Sequence, residues 1–213
     1  MSVADLVTIP QLPFPLVRTA HEAAGGVWTV EPSGRVVGQA PPGSDLYVDP
    51  ARERTTSEDP LPRAPMLLGT PPDGPFQLQA RVAVDFRATF DAGVLVVHLD
   101  ETTWAKLCFE GSPSGSPMVV SVVTRGVSDD ANGPVVEQEW IHLRVSRSDG
   151  VYAFHSSTDG ERWDLVRVFS LGPDVSGHRV GFEVQSPTGA GCTVGFDDIR
   201  CSTERLEDLR DGS

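Results

Sequence analysis

Hydrophobic and polar residues alternate along much of the chain with a period of two, which is typical of β-strands. Gly, Pro, Asp and Ser turns separate these stretches, and helical periodicity is almost absent. Upstream, the pattern predicts a hairpin over Trp28–Val37 that turns at Pro32-Ser33-Gly34. From residue 75 onward it predicts nine strands: Phe76–Phe86, Gly93–Leu99, Trp104–Glu110, Met118–Arg125, Trp140–Arg147, Val151–Ser157, Asp164–Ser170, His178–Gln185 and Cys192–Cys201. Many short strands at this spacing indicate an all-β protein, a sandwich or a barrel.

The segment between the hairpin and these strands is polar and rich in proline. We interpret residues 39–65 as a long loop insertion, with a short helix around Asp49 to Glu53. Long loops of this kind are often functional. The chain is expected to form a single domain over residues 1–203, followed by a C-terminal tail, 204–213, that has one helical turn and then frays.

Four of the predicted strands alternate cleanly between an apolar and a polar face, as a sheet with one face on the core requires. The inward sets are Ala105, Leu107 and Phe109; Ile141, Leu143 and Val145; Tyr152 and Phe154; and Val180, Phe182 and Val184. The outward sets combine tryptophan with charged and amide side chains. Lys106 in this set is the only lysine of the chain, since the other basic residues are arginine.

Composition narrows the classes of partner. The formal net charge of −13 argues against a nucleic-acid backbone or an anionic membrane as partner. Three cysteines are too few for a disulfide scaffold, and their spacing does not match a zinc motif. The N-terminus lacks a basic region, prolines break its apolar stretch, and no apolar run is long enough to span a bilayer. We therefore expect a cytoplasmic protein.

Several segments in order resemble a known family. They are Ala92–Glu110, Val119–Asp130, Trp140–Val145, Tyr152–Trp163 and Val180–Gly189. Together they resemble the domain-of-unknown-function family of the fungal regulation-of-enolase protein, over roughly residues 12–200. That family is similar to the concanavalin A-like lectins and glucanases, which implies a two-sheet antiparallel jelly roll. Asp130 departs from the family pattern, in which we expect an aromatic residue.

The outward face of the four strands suggests a groove that binds a small saccharide or polyol, if the strands lie side by side. Aromatic rings would stack on the ligand, while cations, carboxylates and amides would bind its hydroxyls. The candidate residues are Trp104, Lys106, Glu110, Arg125, His142, Arg144, His155, Glu183 and Gln185. The alternative interpretation is a solvated sheet face with cross-strand ion pairs.

Two further classes of function stay open. Glu110 and Glu183 form the only outward carboxylate pair on central strands and would act as acid and base in a glycoside hydrolase. The family resemblance also implies a regulatory domain that binds a protein partner. Neither class requires a cofactor.

Other motifs carry weaker chemical hypotheses. Ser128–Gly133 is an oxygen-rich stretch in which Asp129, Asp130 and Asn132 are candidate calcium ligands. Ser121, His155 and Asp129 could form a catalytic triad, but no GxSxG elbow is present. A metal could bind His98, His142 and His155 if they converged, and Cys108 beside Lys106 could be a nucleophile. Turn, core and surface roles are the alternatives for all of these residues.

Overall fold

The computed structural model describes residues 6–19, 26–51, 63–173 and 175–213, which form fifteen β-strands and no helix. The strands are β1 (Leu6–Val7), β2 (Leu16–Arg18), β3 (Val27–Val30), β4 (Val36–Ala40), β5 (Met66–Gly69), β6 (Phe76–Val84), β7 (Ala92–Asp100), β8 (Thr103–Gly111), β9 (Pro117–Arg125), β10 (Val127–Val135), β11 (Trp140–Ser148), β12 (Val151–Ser157), β13 (Asp164–Phe169), β14 (Arg179–Gln185) and β15 (Cys192–Ser202). The predicted hairpin and all nine predicted strands are confirmed. None of the described residues forms a helix that could cross a membrane.

The strands form two antiparallel sheets that pack face to face. The eight-stranded sheet has the order β1-β2-β5-β14-β7-β8-β9-β10, and the seven-stranded sheet has the order β13-β12-β11-β6-β15-β4-β3. Consecutive strands often belong to different sheets, so the chain crosses repeatedly between the two layers. The predicted all-β, two-sheet jelly-roll sandwich is therefore confirmed.

The main core lies between the sheets and contains every residue of the predicted inward sets. Aromatic side chains contact one another across it, with ring centroids 4.6 Å apart for Phe154 and Phe169 and 4.9 Å apart for Phe182 and Phe196. Each fully buried side chain of this size contributes about 1.5–3 kcal/mol. The layers approach closely at Gly93, where an added Cβ atom would clash with Cγ1 of Val194.

A second apolar cluster covers the outer face of the eight-stranded sheet, the face turned away from its partner layer. Leu46 and Val48 pack there on Val94, Val96 and Met66, although residues 41–48 form no strand of their own. Part of the predicted loop insertion therefore folds back over the sheet. Buried apolar contact on both faces explains why β7 reads as a continuous apolar run.

Three local predictions differ from the structure. Residues 128–133, interpreted as an oxygen-rich loop, lie within the edge strand β10. The tail packs on the seven-stranded sheet instead of fraying, with Leu206 6% exposed. Residues 49–51 form a turn, and the remainder of the helix predicted up to residue 53 lies outside the described residues.

Candidate functional site

The register of the eight-stranded sheet brings polar side chains together on its outer face. Gln185 of β14, Ala92 of β7 and Glu110 of β8 are aligned across the strands. Lys106 lies on the same face of β8, and Asp130 of β10 is aligned with it across Val122 of β9. Three of these polar residues, Lys106, Glu110 and Gln185, were predicted to share one site, and the structure brings them together.

Lys106 is the centre of this cluster and is 2% exposed. Its ammonium donates a hydrogen bond of 2.6 Å to Oε1 of Gln185 and lies 3.4 Å from Oδ1 of Asp45. Burial by itself lowers the pKa of Lys106, but the carboxylates of Glu183, Asp45 and Glu110 outweigh it and raise that pKa above its ordinary value. Lys106 therefore carries a fixed positive charge.

Gln185, on β14, fixes the position of the Lys106 ammonium; β7 lies between β14 and β8. Its amide nitrogen donates to the carbonyl oxygen of Phe90 at 3.1 Å and to Oε2 of Glu110 at 3.5 Å. These bonds orient its carbonyl oxygen toward Lys106. Burial raises the pKa of Glu110 to about 7, although the charge of Lys106 opposes this effect.

Glu183 lies beneath the cluster and is completely buried. Neither of its carboxylate oxygens has a hydrogen-bond partner in the described part of the chain, and Met66 lies opposite it on β5. Burial raises the pKa of Glu183 to about 7, again against the charge of Lys106. The ammonium of Lys106 is thus the main electrostatic compensation for this carboxyl group.

A pocket of about 210 Å³ opens above Lys106. Its floor and walls combine apolar side chains with hydrogen-bonding groups. The lining residues are Asp45, Tyr47, Phe90, Lys106, Glu110, Val120, Val122, Asp130, Gln185 and Pro187. Tyr47 donates a hydrogen bond of 3.4 Å to Oδ1 of Asp130, so the covering segment contacts the sheet edge at the pocket wall.

Phe90 stands at the rim of the pocket in an uncommon backbone conformation. Its φ angle is +68° and its side chain is 37% exposed. Left-handed backbone at a bulky residue costs free energy and tends to occur at functional positions. The hydrogen bonds from its amide to the Gly111 carbonyl, and from Gln185 to its own carbonyl, hold the ring at the rim.

The prediction of one groove shared by all four strands is wrong. His142 and Arg144 lie on β11 and His155 on β12, all in the seven-stranded sheet, with their side chains on the opposite side of the molecule from Lys106. Strand phase separates inward from outward residues, but it does not tell which sheet a strand belongs to. The outward residues therefore divide into two clusters that face away from each other.

Two other candidates have structural contacts instead of pocket contacts. Trp104 is 1% exposed and stacks on His98 with ring centroids 6.5 Å apart, so it is not available to a ligand. Arg125 donates from Nε to the carbonyl oxygen of Ser170 at 3.1 Å and so connects the end of β9 to the residue after β13 in the other sheet.

Of the predicted acid and base pair, Glu110 lines the pocket, whereas the fully buried Glu183 does not. Cys108 lies on the same face as Lys106, as predicted, but burial raises the pKa of its thiol well above the ordinary value. A nucleophilic Cys108 is therefore not supported, because the thiolate is the reactive form.

The predicted metal and triad groups do not assemble. Asp129 and Asp130 are successive residues of a strand and point to opposite faces, so the proposed calcium cage with Asn132 does not form. His98 lies in the eight-stranded sheet, away from His142 and His155. Across the described residues, no group of three or more His, Cys, Asp or Glu side chains could hold a metal ion.

The proposed triad fails for the same reason. Ser121 and Asp129 belong to strands of the eight-stranded sheet, whereas His155 lies on the outer face of the seven-stranded one. The core of the sandwich therefore separates His155 from Ser121 and Asp129.

Sequence reasoning missed the pocket residues that come from irregular segments: Asp45, Tyr47, Phe90 and Pro187. It also missed Val120 and Val122, which it treated only as strand residues. The alternating pattern gives no signal for loops that fold over a sheet. One available signal was the aromatic Tyr47 between two apolar residues inside a polar, proline-rich segment.

Comparison with known proteins supports the fold and gives a family. A family model described as a protein of unknown function (DUF1349) matches residues 24–204. A functionally unknown protein from Saccharomyces cerevisiae is 24% identical, with a TM-score of 0.68, over 85% of this chain and 97% of that one. Comparison with curated proteins finds no match.

Two carbohydrate-related structures share the fold at low identity. The GH43 protein BlXynB from Bacillus licheniformis is 13% identical, with a TM-score of 0.69, over 96% of this chain and 40% of that one. The carbohydrate binding module CBM66 from Bacillus subtilis is 10% identical, with a TM-score of 0.52, over 91% of this chain and 97% of that one. This chain thus spans less than half of the GH43 protein and nearly all of the binding module.

Proposed function

We propose a function for this chain, which belongs to the DUF1349 family: it binds a small, uncharged saccharide or polyol in the pocket above Lys106. The observation that carries the proposal is the geometry of that pocket. A buried ammonium, fixed by Gln185, and three carboxylates converge on a space with apolar walls. The resemblance to a carbohydrate binding module supports the same class of ligand.

The size and charge of the pocket restrict the ligand. A volume of about 210 Å³ is below the roughly 300–1,000 Å³ of drug-sized pockets, which favours a ligand of about one sugar ring. Among the lining residues that the structure describes, Lys106 is the only cation, beside Asp45, Glu110 and Asp130. An anionic ligand would meet net repulsion, so neutral hydroxyls are the better partners.

The lining offers both kinds of hydrogen bond that hydroxyl groups need. Lys106 donates, while the carboxylates of Asp45 and Asp130 accept; bonds to charged groups contribute about 1.5–3 kcal/mol each. Val120 and Val122 form an apolar surface for the C–H face of a ring, beside the aromatic rings of Tyr47 and Phe90. Recognition of a polyol requires this combination of polar edges and apolar faces.

Hydrolysis by Glu110 and Glu183 is a weaker alternative. Glu110 has the raised pKa that a general acid needs, but the second carboxylate must also reach the substrate or its attacking water. Glu183 is buried below the lining residues and would need the covering segment to move away. We therefore favour binding without turnover.

The single lysine makes the proposal directly testable. Lysine-selective ¹⁵N labelling puts one labelled side chain in the whole protein, so its Nζ signal reports this pocket. Titration with a panel of neutral monosaccharides and polyols should shift that signal saturably. The same ligand at one hundred times its Kd should stabilise the fold by about 2.7 kcal/mol, an increase in Tm of roughly 5–10 °C.

Matched variants separate the pocket from its surroundings. Asp130→Asn removes a carboxylate of the lining and should weaken binding about tenfold. Asp129→Asn changes the adjacent residue of β10, which faces away and pairs with Arg167, and should leave affinity unchanged. If no neutral sugar or polyol moves the Nζ signal or the Tm, or if both variants bind like the wild type, the proposal is wrong.

A further inference from the structure

A second polar cluster lies on the opposite side of the molecule, on the outer face of the seven-stranded sheet. Arg144 of β11 and His155 of β12 are direct cross-strand partners there. The C-terminal tail lies over both, with Leu206 and Gly212 buried against the sheet. The cluster takes no part in the proposed sugar pocket.

Arg144 is a buried cation without an anionic partner. Its side chain is 4% exposed, and in the described part of the chain no carboxylate lies within ion-pair distance of it. Cζ of the guanidinium lies over the ring of Trp163, 4.3 Å from the centroid, in a cation–π contact. Its Nη2 donates to the carbonyl oxygen of Gly212 at 2.6 Å, and Nη1 lies 3.4 Å from Oε1 of Gln77. Nε has no hydrogen-bond partner among the residues that the structure describes.

His155 provides a second donor toward the same segment. Its Nε2 lies 2.8 Å from the carbonyl oxygen of Leu209, and its Nδ1 is buried without a partner. Burial, together with the charge of Arg144, lowers the pKa of His155 to about 4, so the neutral ring donates through Nε2. Arg144 and His155 therefore direct two N–H groups at two carbonyl oxygens of the tail.

We propose that Arg144, His155 and Trp163 form a binding site for an oxyanion, a carboxylate or a phosphate, and that the tail occupies this site as an internal competitor. Carbonyl oxygens are neutral acceptors, whereas an arginine fork prefers an anion and forms bonds about twice as strong with it. Within the described ranges the guanidinium has a free Nε and no carboxylate partner, so an oxyanion would supply the charged acceptor that favours a buried cation.

Gly212 provides a way to move the tail without changing the site. Its φ angle is +77°, and a Cβ atom there would lie 2.6 Å from Nη2 of Arg144 and 2.9 Å from Cβ of Trp163. Gly212→Val should therefore prevent docking of the tail. Gly177→Val is the matched control, because Gly177 has nearly the same φ angle, +78°, and a Cβ atom added there would meet nothing within 4 Å.

Two measurements on the full-length protein test the proposal. Trypsin cleavage at Arg210 reports release of the tail, and calorimetric titration with inorganic phosphate and with glucuronate reports the site. If the tail is docked in about nine of ten molecules, Gly212→Val should raise the apparent affinity about tenfold and speed up cleavage, while Gly177→Val behaves like the wild type. Tighter binding of phosphate would show that the site prefers a phosphate group, and tighter binding of glucuronate would show that it prefers a carboxylate.

Adding Arg144→Gln to Gly212→Val should abolish the gained affinity. Faster cleavage with no gain for either anion would mean that the tail is only a structural cover, and the proposal would be wrong. If Gly212→Val leaves both cleavage and affinity unchanged, the tail does not compete with an anion for this site. The proposal is also contradicted if the gain in anion affinity persists when Arg144→Gln is added.

Discussion

Glu183 is unusual, because a fully buried carboxyl group normally has hydrogen-bond partners. Its oxygens have none, and the ammonium of Lys106 compensates its charge only in part, so its pKa stays raised. Desolvation of this pair costs free energy that apolar residues would not cost. The charge of Glu183 in turn raises the pKa of Lys106 and so favours the charged form of the lysine under the pocket.

The raised pKa of Glu183 has a consequence for stability. In the unfolded chain the group titrates near 4.5, and in the folded protein near 7. The folded state thus holds an extra proton between these values, so the contribution of Glu183 to stability is present below pH 4.5 and is lost as the pH rises through 7.

Glu183→Gln removes this titration. The Tm of the variant minus that of the wild type should increase from pH 4.5 to pH 8 by at least 2–4 °C, the shift that about 1 kcal/mol produces in a domain of this size. Glu137→Gln, which makes the same substitution at an exposed carboxyl group, is the matched control. A pH-independent difference for Glu183→Gln would show that the group does not titrate in this range.

At this scale the sequence predicted the chemistry of the site in part. Alternation along β8 identified Lys106 and Glu110 as outward residues, and the same pattern along β14 identified Gln185. It could not show that an outward residue such as Trp104 is covered, since burial by a loop leaves no periodic signal.

Among the elements, the covering segment 41–48 depends on the edge strand β10. The amide of Val48 donates to Oγ of Ser128 at 2.9 Å, and the amide of Ser128 donates back to the carbonyl oxygen of Val48 at 2.9 Å. Thr124 adds a 2.8 Å contact between hydroxyls. This attachment places the neighbouring Tyr47 at the pocket wall.

Ser128→Ala should loosen the segment, because it leaves the buried amide of Val48 without its acceptor. We expect a loss of about 1–3 kcal/mol in the free energy of unfolding, measured in urea, together with a changed Nζ signal for Lys106. Ser112→Ala removes a buried hydroxyl from the turn after β8, where it accepts from the amide of Ser116 at 3.1 Å. Ser112→Ala should lose stability without altering the Nζ signal of Lys106. If Ser128→Ala and Ser112→Ala gave the same Nζ signal, Ser128 would not be the residue that holds segment 41–48 at the pocket.

The amino-acid composition of β10 explains why the sequence did not predict this strand. Ser128–Gly133 is rich in Asp, Asn and Gly, which are depleted in central strands and favoured in turns. At the edge of a sheet, however, polar and charged residues are tolerated and limit association through the free edge. Among the described strands, β10 pairs with β9 alone, so its composition fits an edge position that the sequence alone does not reveal.

At the scale of the whole molecule, the residues predicted to share one groove lie on two separate outer faces of the sandwich. An outward side chain of the eight-stranded sheet and an outward side chain of the seven-stranded sheet are separated by two sheets and the core, roughly 10 Å between sheets alone. The predicted inward or outward orientation of the side chains is correct in all four strands. The sheet to which a strand belongs, however, depends on long-range pairing such as that of β6 with β15, which alternation does not show. The proposed sugar pocket and the proposed oxyanion site at Arg144 can therefore be tested independently.

The net charge of −13 acts on the molecule as a whole. Like charges repel in the compact state, and the Debye length shortens from about 30 Å at 0.01 M salt to about 8 Å at 0.15 M. At pH 8, adding NaCl over this range should raise the Tm by a few degrees, since screening weakens the repulsion more than it weakens surface ion pairs such as Arg81–Asp197.

Near the sequence pI of about 4.7 the repulsion disappears, and the same salt should leave the Tm unchanged or lower it. Potassium chloride is the control for specific sodium binding, and chloride is the appropriate anion because phosphate or sulfate could occupy the site at Arg144. An equal increase in Tm at both pH values would mean that salt acts through a bound ion and not through the overall charge.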